Sequence, residues 1–381
     1  MMSRKLPEVC EIQYGFPFDS SLFSAEGDLP LIRIRDVVRG YTETYTSEKC
    51  DVAYLVHEGD ILVGMDGVFN VAKWKGEPAY LNQRVCRIIP NETIDADFLF
   101  YFIPTALKKI ENETAFVTVK HLKAKQLNAV VVPDVPIEEQ KKIAAQLNVI
   151  SHLISLRQQQ AEKLDELVKA RFVEMFGDLA APNCKWKTIK IVEACENEND
   201  IKCGPFGTQL SMNEYQETGV AVWEIPQINS GFQMVPTHFL TAEKAEALRD
   251  YSIVPGDIAM SRKGNVGRCA VFPESLEAGI IHSDVLRIRV NHEIVSAIFL
   301  MYQLHFSEAV KHQIAIVSLG AIMAGINVTK LKKIRIHIPP LPLQNAFATF
   351  VHEVDREKER IQRSAVLLET LKRSLMQQYF G

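Results

Sequence analysis

The sequence predicts an α+β chain: two mixed α/β heads separated by a pair of long antiparallel coiled-coil helices, with the halves forming an internal pseudo-two-fold duplication. Three observations predict this. Motifs of the first half return in the same order in the second. Each half is a series of short strand-like runs with helical stretches between them. Each half then closes on a long segment free of glycine and proline.

The segments follow in order: a first head over 1–135, a first long helix over 136–180, a second head over 181–338 and a second long helix over 339–381. Each head opens on Ile-x-x-Gly, Ile12 to Gly15 and Ile201 to Gly204, leading into "GFPF" and "GPFG". "LIRIRDVVRG" (31–40) lies over "VWEIPQINSG" (222–231), and "HEGDILVGMDG" (57–67) over "VPGDIAMSRKG" (254–264). "LNQRVCRIIPN" (81–91) meets "IHSDVLRIRVN" (281–291), and "VVVPDVPI" (130–137) meets "IHIPPLPL" (336–343). The runs "LIRIRDVV", "GDILVGM", "NAVVVP", "VLRIRV" and "KIRIHIP" read as strands, punctuated by Gly, Asn and Pro. "DADFLFYFIPTALKKI" and "SAIFLMYQLHFSEAVKHQI" read as helices.

A Pro-x-x-Pro element, Pro133/Pro136 and Pro339/Pro342, stops the last strand of each head and suits the first turn of a helix. In the first long helix Ile143, Leu147, Ile150, Ile154, Ala161, Leu164, Val168 and Met175 fall at 4-3 spacing, interrupted by Arg157 and Arg171. In the second, Phe347, Val351, Val354, Ile361, Ala365, Leu368 and Leu375 do the same, interrupted by Lys358 and Lys372. This is the stripe of a coiled-coil seam, on rods of roughly 58 Å at 1.5 Å per residue. Antiparallel pairing buries both seams and sets the heads at opposite ends, as a two-headed ruler.

Composition bounds the function. A chain of 381 residues with 47% hydrophobic and 24% charged residues is an ordinary globular protein of two or three domains. It has no run of eighteen apolar residues, so no membrane is expected, and "MMSRKLPEVCEIQYG" lacks an apolar signal core, which points to the cytoplasm. Seven cysteines without a C-x-x-C read as reduced thiols rather than disulfides or a zinc site. The net charge is −4 and no segment is a basic tail, so nucleic acid would be gripped by local patches.

Two similar heads at fixed separation suit a periodic ligand, and duplex DNA presents equivalent faces about 34–36 Å apart. Candidate contacts in the second head are Arg262, Lys263, Asn265 and Arg268 of "SRKGNVGR", with Gln227 and Asn229 after the strand "VWEIPQINSG". In the first head they are Arg33, Arg35, Asn70, Lys73, Lys120 and His121. Arg and Lys can grip phosphate or read guanine, and Asn and Gln read adenine. Arg33 and Arg35 are expected on one face of a strand, where pairing with nearby acids is the alternative. Asp66 stands where the second head has Lys263, as two heads with different targets require. Phe206 is expected to anchor its turn in the core. At the helix ends Phe172, Phe176, Leu375, Met376, Tyr379 and Phe380 are either a partner interface or core beneath the opposite head.

These residues together resemble the specificity subunit of type I restriction–modification systems, over essentially all 381 residues. The resemblance rests on "GPFG" in the second head, Ile32 to Asp36 in the first, the Gly-Asp-Ile runs at 59–61 and 256–258, the two Pro-x-x-Pro starts and the two closing Phe-Gly pairs. It implies that the heads are target-recognition domains, each reading one half of a split DNA sequence, with the helices setting the unread gap. It implies two methyltransferase (modification) subunits as partners, joined by restriction motor/nuclease subunits. S-adenosylmethionine and ATP would then bind those partners, and no cofactor this chain. The first head departs from the pattern with Gly-Phe-Pro-Phe, so base contacts cannot be copied between heads. No phosphate-binding G-x-x-x-x-G-K-[ST], H-E-x-x-H or Asn/Asp-Pro-Pro-Tyr/Phe stretch occurs, in keeping with a non-catalytic subunit. A coiled-coil scaffold with two protein-binding heads, or a DNA-reading module of a non-restriction defence or methylation complex, remain the alternatives.

Overall fold

A computed structural model describes residues 4–113, 121–181, 183–318 and 325–381. The chain forms two compact units that do not follow its order: residues 1–159 with 361–381, and residues 160–360.

The first unit is built on a four-stranded antiparallel sheet in the order Cys10–Tyr14, Val85–Pro90, Ile61–Gly64, Val71–Lys73. A second sheet of five short strands includes Leu29–Ile32 running parallel to Ala79–Leu81. Helix Ala96–Glu113 lays Phe98, Leu99, Phe102 and Leu107 into the core with Ile61, Val63 and Ile88 of the first sheet. Gln140, fully buried, accepts from the Asp95 N–H at 2.8 Å and donates to the Val135 carbonyl at 2.7 Å, so one amide pins the long helix to the start of Ala96–Glu113. Phe380 closes this core, edge-on to Phe98 and Phe102 at 5.2 and 5.9 Å between centroids.

The second unit repeats the plan. Its antiparallel sheet runs Ile201–Cys203, Val285–Ile288, Ile258–Ser261, Cys269–Val271, and in its neighbour Val220–Trp223 runs parallel to Gly279–Ile281. Gln344 does the work of Gln140, accepting from the Ser296 N–H at 2.9 Å and donating to the Pro339 carbonyl at 2.7 Å. The helical stretch is broken here into Ala297–Phe306 and Glu308–Ser318.

The long helices are Ile137–Phe176 and Leu341–Phe380. Every hydrophobic position of both 4-3 stripes is buried or half-buried. In the second unit Lys358 meets Asp165 across them at 2.5 Å; in the first, Tyr379 donates to Gln146 at 3.2 Å and Lys372 lies over the Tyr101 ring at 5.6 Å.

Two expectations are corrected. "LIRIRDVV" is not one strand: the strand stops at Ile32 and Ile34–Arg39 is helical. Asp36, buried, accepts from the Arg33 N–H at 2.9 Å and caps the helix, and Gly40 ends it at φ 76°. The aromatic helix ends are not a free interface. Phe172 and Phe176 are core, touching Phe299 and Phe347 of the second unit, and Phe380 is core in the first; Leu375, Met376 and Tyr379 are half-buried against it.

Candidate nucleic-acid interface

In each head one end of the main sheet gathers the same four chain segments. The glycine opening each head explains part of this. A Cβ on Gly15 would lie 2.1 Å from the Asn82 carbonyl oxygen, and one on Gly204 2.3 Å from those of Ile281 and His282. Only glycine lets the opening turn cross the facing loop so closely. Beside it, the Met65 N–H donates to the Arg84 carbonyl at 3.0 Å and the Leu122 N–H to Met65 at 2.8 Å. In the second head the Arg262 N–H donates to Asp284 at 3.1 Å and Ile326 to Arg262 at 3.0 Å.

On this frame the second head presents Arg262, whose Nη1 donates to the Ser283 carbonyl at 3.1 Å and to Cys203 Sγ at 3.3 Å. Lys263 is exposed and paired with Asp284 at 2.7 Å. Asn265 is exposed at the hairpin tip. Arg268 donates to the Asn229 carbonyl at 2.9 Å, and Asn229 in turn accepts from Ser261 at 3.4 Å. These five predicted residues are therefore brought together. Gln227 is not among them: it is 1% exposed, caps the helix Ile225–Asn229 by accepting from the Glu224 N–H at 3.2 Å, and donates to the Val235 carbonyl at 3.0 Å. Its amide is spent holding a loop. Phe206 is also corrected, since its ring is 54% exposed beneath the Arg262 guanidinium rather than in the core.

In the first head His121 is brought to the tip, its Nδ1 2.6 Å from Asp66, which also faces Arg84 at 3.4 Å. Asn70 is half-buried just before the strand Val71–Lys73, with its carbonyl accepting from Gly64 at 2.8 Å. Lys73 is turned to Asp97 and lies over Phe100 at 5.3 Å. Burial pushes the Asp97 carboxyl up, but hydrogen bonds from Lys73 and Asn148 outweigh it and hold the group below its ordinary value. Lys73 thus serves the fold first. Arg33 and Arg35 are exposed but on the helix start, not a strand: Arg33 sits over Phe23 at 5.9 Å and Arg35 donates to Thr44 at 3.1 Å. Lys120 lies outside the described residues.

Sequence reasoning missed Arg84 and Asp284, the charges facing each tip. They were in plain view at the same position of the aligned runs "LNQRV" and "IHSDV". It also passed over the Asp of each Gly-Asp-Ile. Asp60 accepts from the His57 N–H at 2.9 Å and pairs with Arg87 at 2.9 Å. Asp257 accepts from Val254 at 2.9 Å and holds Arg289 in a two-pronged pair at 2.8 and 2.7 Å. Arg287 on the neighbouring strand is buried, its guanidinium pKa lowered by loss of water, and binds three backbone carbonyls. These arginines brace the sheets.

Two α/β heads that set different polar side chains on one shared frame define a duplicated recognition protein, and what it resembles narrows the class. A family model, the type I restriction modification DNA specificity domain, matches residues 1–166 and again 183–369, and the chain belongs to that family. It is 27% identical over 379 residues to the EcoBI type I restriction enzyme specificity subunit of Escherichia coli, covering 93% of this chain and 78% of that one. It is 24% identical over 331 residues to the MjaVIII specificity subunit of Methanocaldococcus jannaschii, covering 81% and 77%. Its fold is similar to the type I specificity subunit of M. genitalium, with a TM-score of 0.59, 15% identity, and 100% and 96% of the two chains covered. A chain from a structure described by complex assembly and conformational transition of the type I system gives 0.60 and 16%, covering 100% and 97%. Among the described residues no helix is long and apolar enough to cross a membrane.

Proposed function

We propose that this chain reads a bipartite DNA sequence for a type I restriction–modification enzyme, one half-site per head, without catalysing a reaction itself. The observation that carries the reading is the family domain occurring twice, each copy presenting a different set of polar side chains at the same sheet end. The long helices pair antiparallel as a coiled coil, relate the halves by a pseudo-two-fold axis and fix the unread gap; the buried 4-3 stripes support this. Two methyltransferase subunits dock on the chain and restriction subunits join them, in the cytoplasm. With Phe172, Phe176 and Phe380 spent in cores, the exposed Leu156, Leu367 and Leu371 and the groove between Ala145, Val149 and Leu375 are the better docking candidates. S-adenosylmethionine and ATP belong to those partners.

Co-expression with type I methyltransferase subunits of the same genome, followed by sequencing of methylated adenines, tests this. The expected result is two short specified halves around a constant gap. Removing one matched heptad from both helices, about 10 Å of rod, should shorten the gap by about three base pairs at 3.4 Å each and leave both halves intact. A continuous motif, or a stable complex that methylates nothing, would refute the reading.

A further inference from the structure

The turn Gly204-Pro205-Phe206-Gly207 holds a phenyl ring out to solvent, 54% exposed, at the same sheet end as Lys263, Asn265 and Asp284. The ring is held in place. The Arg262 guanidinium covers one face at 5.5 Å from the centroid and is itself tied to the Ser283 carbonyl and Cys203 Sγ. The Phe206 carbonyl accepts from the Gln209 and Leu210 N–H groups at 2.7 and 3.1 Å, so the backbone beneath the ring is fixed too. In the first head Pro17 stands at the aligned position, and its neighbours stay closer to the core: Phe16 is half-buried and Phe18 is buried, packing with Phe16 and Tyr80 at 4.9 and 6.2 Å. Among the described residues at these two sheet ends, a large apolar ring kept outside on a rigid mount, beside groups that can hydrogen-bond base edges, occurs in the second head.

We infer that Phe206 is a specificity-determining residue of the second head, packing its free face on the C5-methyl of a thymine in the major groove. The inference rests on the DNA-reading function proposed above. The thymine methyl is the apolar group that a major-groove edge offers, and hydrogen-bonding side chains alone cannot recognise it. A ring inserted between base pairs needs both faces free, and Arg262 occupies one. Contact with a base edge from one side is what the mount allows.

The test uses the chain assembled with its methyltransferase subunits and the duplex identified by methylation sequencing, with each thymine replaced singly by uracil, which lacks only the methyl. For the native complex, uracil at one position in one half should weaken binding about four-fold, the worth of one buried methyl group. Phe206→Ala should weaken binding to the parent duplex by at least as much, ignore uracil at that position, and keep the native thermal midpoint because the ring is exposed. Native binding indifferent to uracil everywhere, or an unchanged uracil effect in Phe206→Ala, overturns the inference while leaving the DNA-reading function standing. If the native complex selects no duplex at all, both fall.

Discussion

The tips of the two heads share a backbone and exchange charges. In the first, an acid after the strand Ile61–Gly64 faces a base before Val85–Pro90, Asp66 against Arg84. In the second, a base after Ile258–Ser261 faces an acid before Val285–Ile288, Lys263 against Asp284. The backbone bonds joining those segments are the same in both. Either ion pair satisfies the frame, so the sign of each position is free to vary with the target. Exposed pairs of this kind contribute about 0–1 kcal/mol, which leaves their identity to be set by function.

The sharpest contrast lies just behind the tips. Asp257 is almost wholly buried and grips Arg289 with both oxygens, while Asp60 is about a third exposed. Asp257→Ala should cost about 2–3 kcal/mol, since it removes both acceptor oxygens of a two-pronged pair and leaves the Val254 N–H without its buried acceptor. Asp60→Ala should cost about 1 kcal/mol, since Asp60 is partly solvated and Arg87 keeps Gln13 and the Leu55 and Ala53 carbonyls. Urea unfolding of each variant reads the difference, and equal losses would break the idea that the second head depends more on its brace. Next, Asp66→Lys sets a like charge against Arg84 and should destabilise by roughly 0.5–1 kcal/mol. Asp66→Lys with Arg84→Asp should restore it while altering one half of the methylated motif, and a thermodynamic cycle over the two sites measures that coupling. The smallest effect concerns acid. Asp97 is held below its ordinary value in the first head, so its contribution is present above the unfolded carboxylate pKa and is lost as pH falls through the lower folded value. Asp97→Asn should flatten that part of the stability profile below about pH 4. Its loss on acidification should be absent from a Lys73→Met, Asp97→Asn double variant.

What was legible in the sequence was whatever repeats or has a period. The duplication could be read because ordered motifs recur, and the long helices because a 4-3 stripe over so many residues admits few other structures. What failed was settled by single long-range contacts. Ile32 to Arg35 alternates like a strand, yet one carboxylate at Asp36 caps a helix there. Phe206 looked like core because nothing near it in sequence reveals that Arg262 will mount it on the outside. Gln227 looked like a reader until Val235 claimed its amide, and only contacts such as Phe380 with Phe98 and Phe172 with Phe299 decided between interface and core for the terminal aromatics. Residue type told which chemistry was on offer, and distant partners decided whether it remained available.

The discontinuity of the first unit has a consequence for how the protein is made. Residues 160–360 form one uninterrupted stretch and can close as soon as they leave the ribosome, whereas the unit begun earlier lacks Phe380 against Phe98 and Phe102 until residues 361–381 have followed. The half translated first is thus completed last, and through that interval the face of helix Ala96–Glu113 that carries Phe98 and Phe102 lacks its cover, the kind of transient apolar surface that invites aggregation.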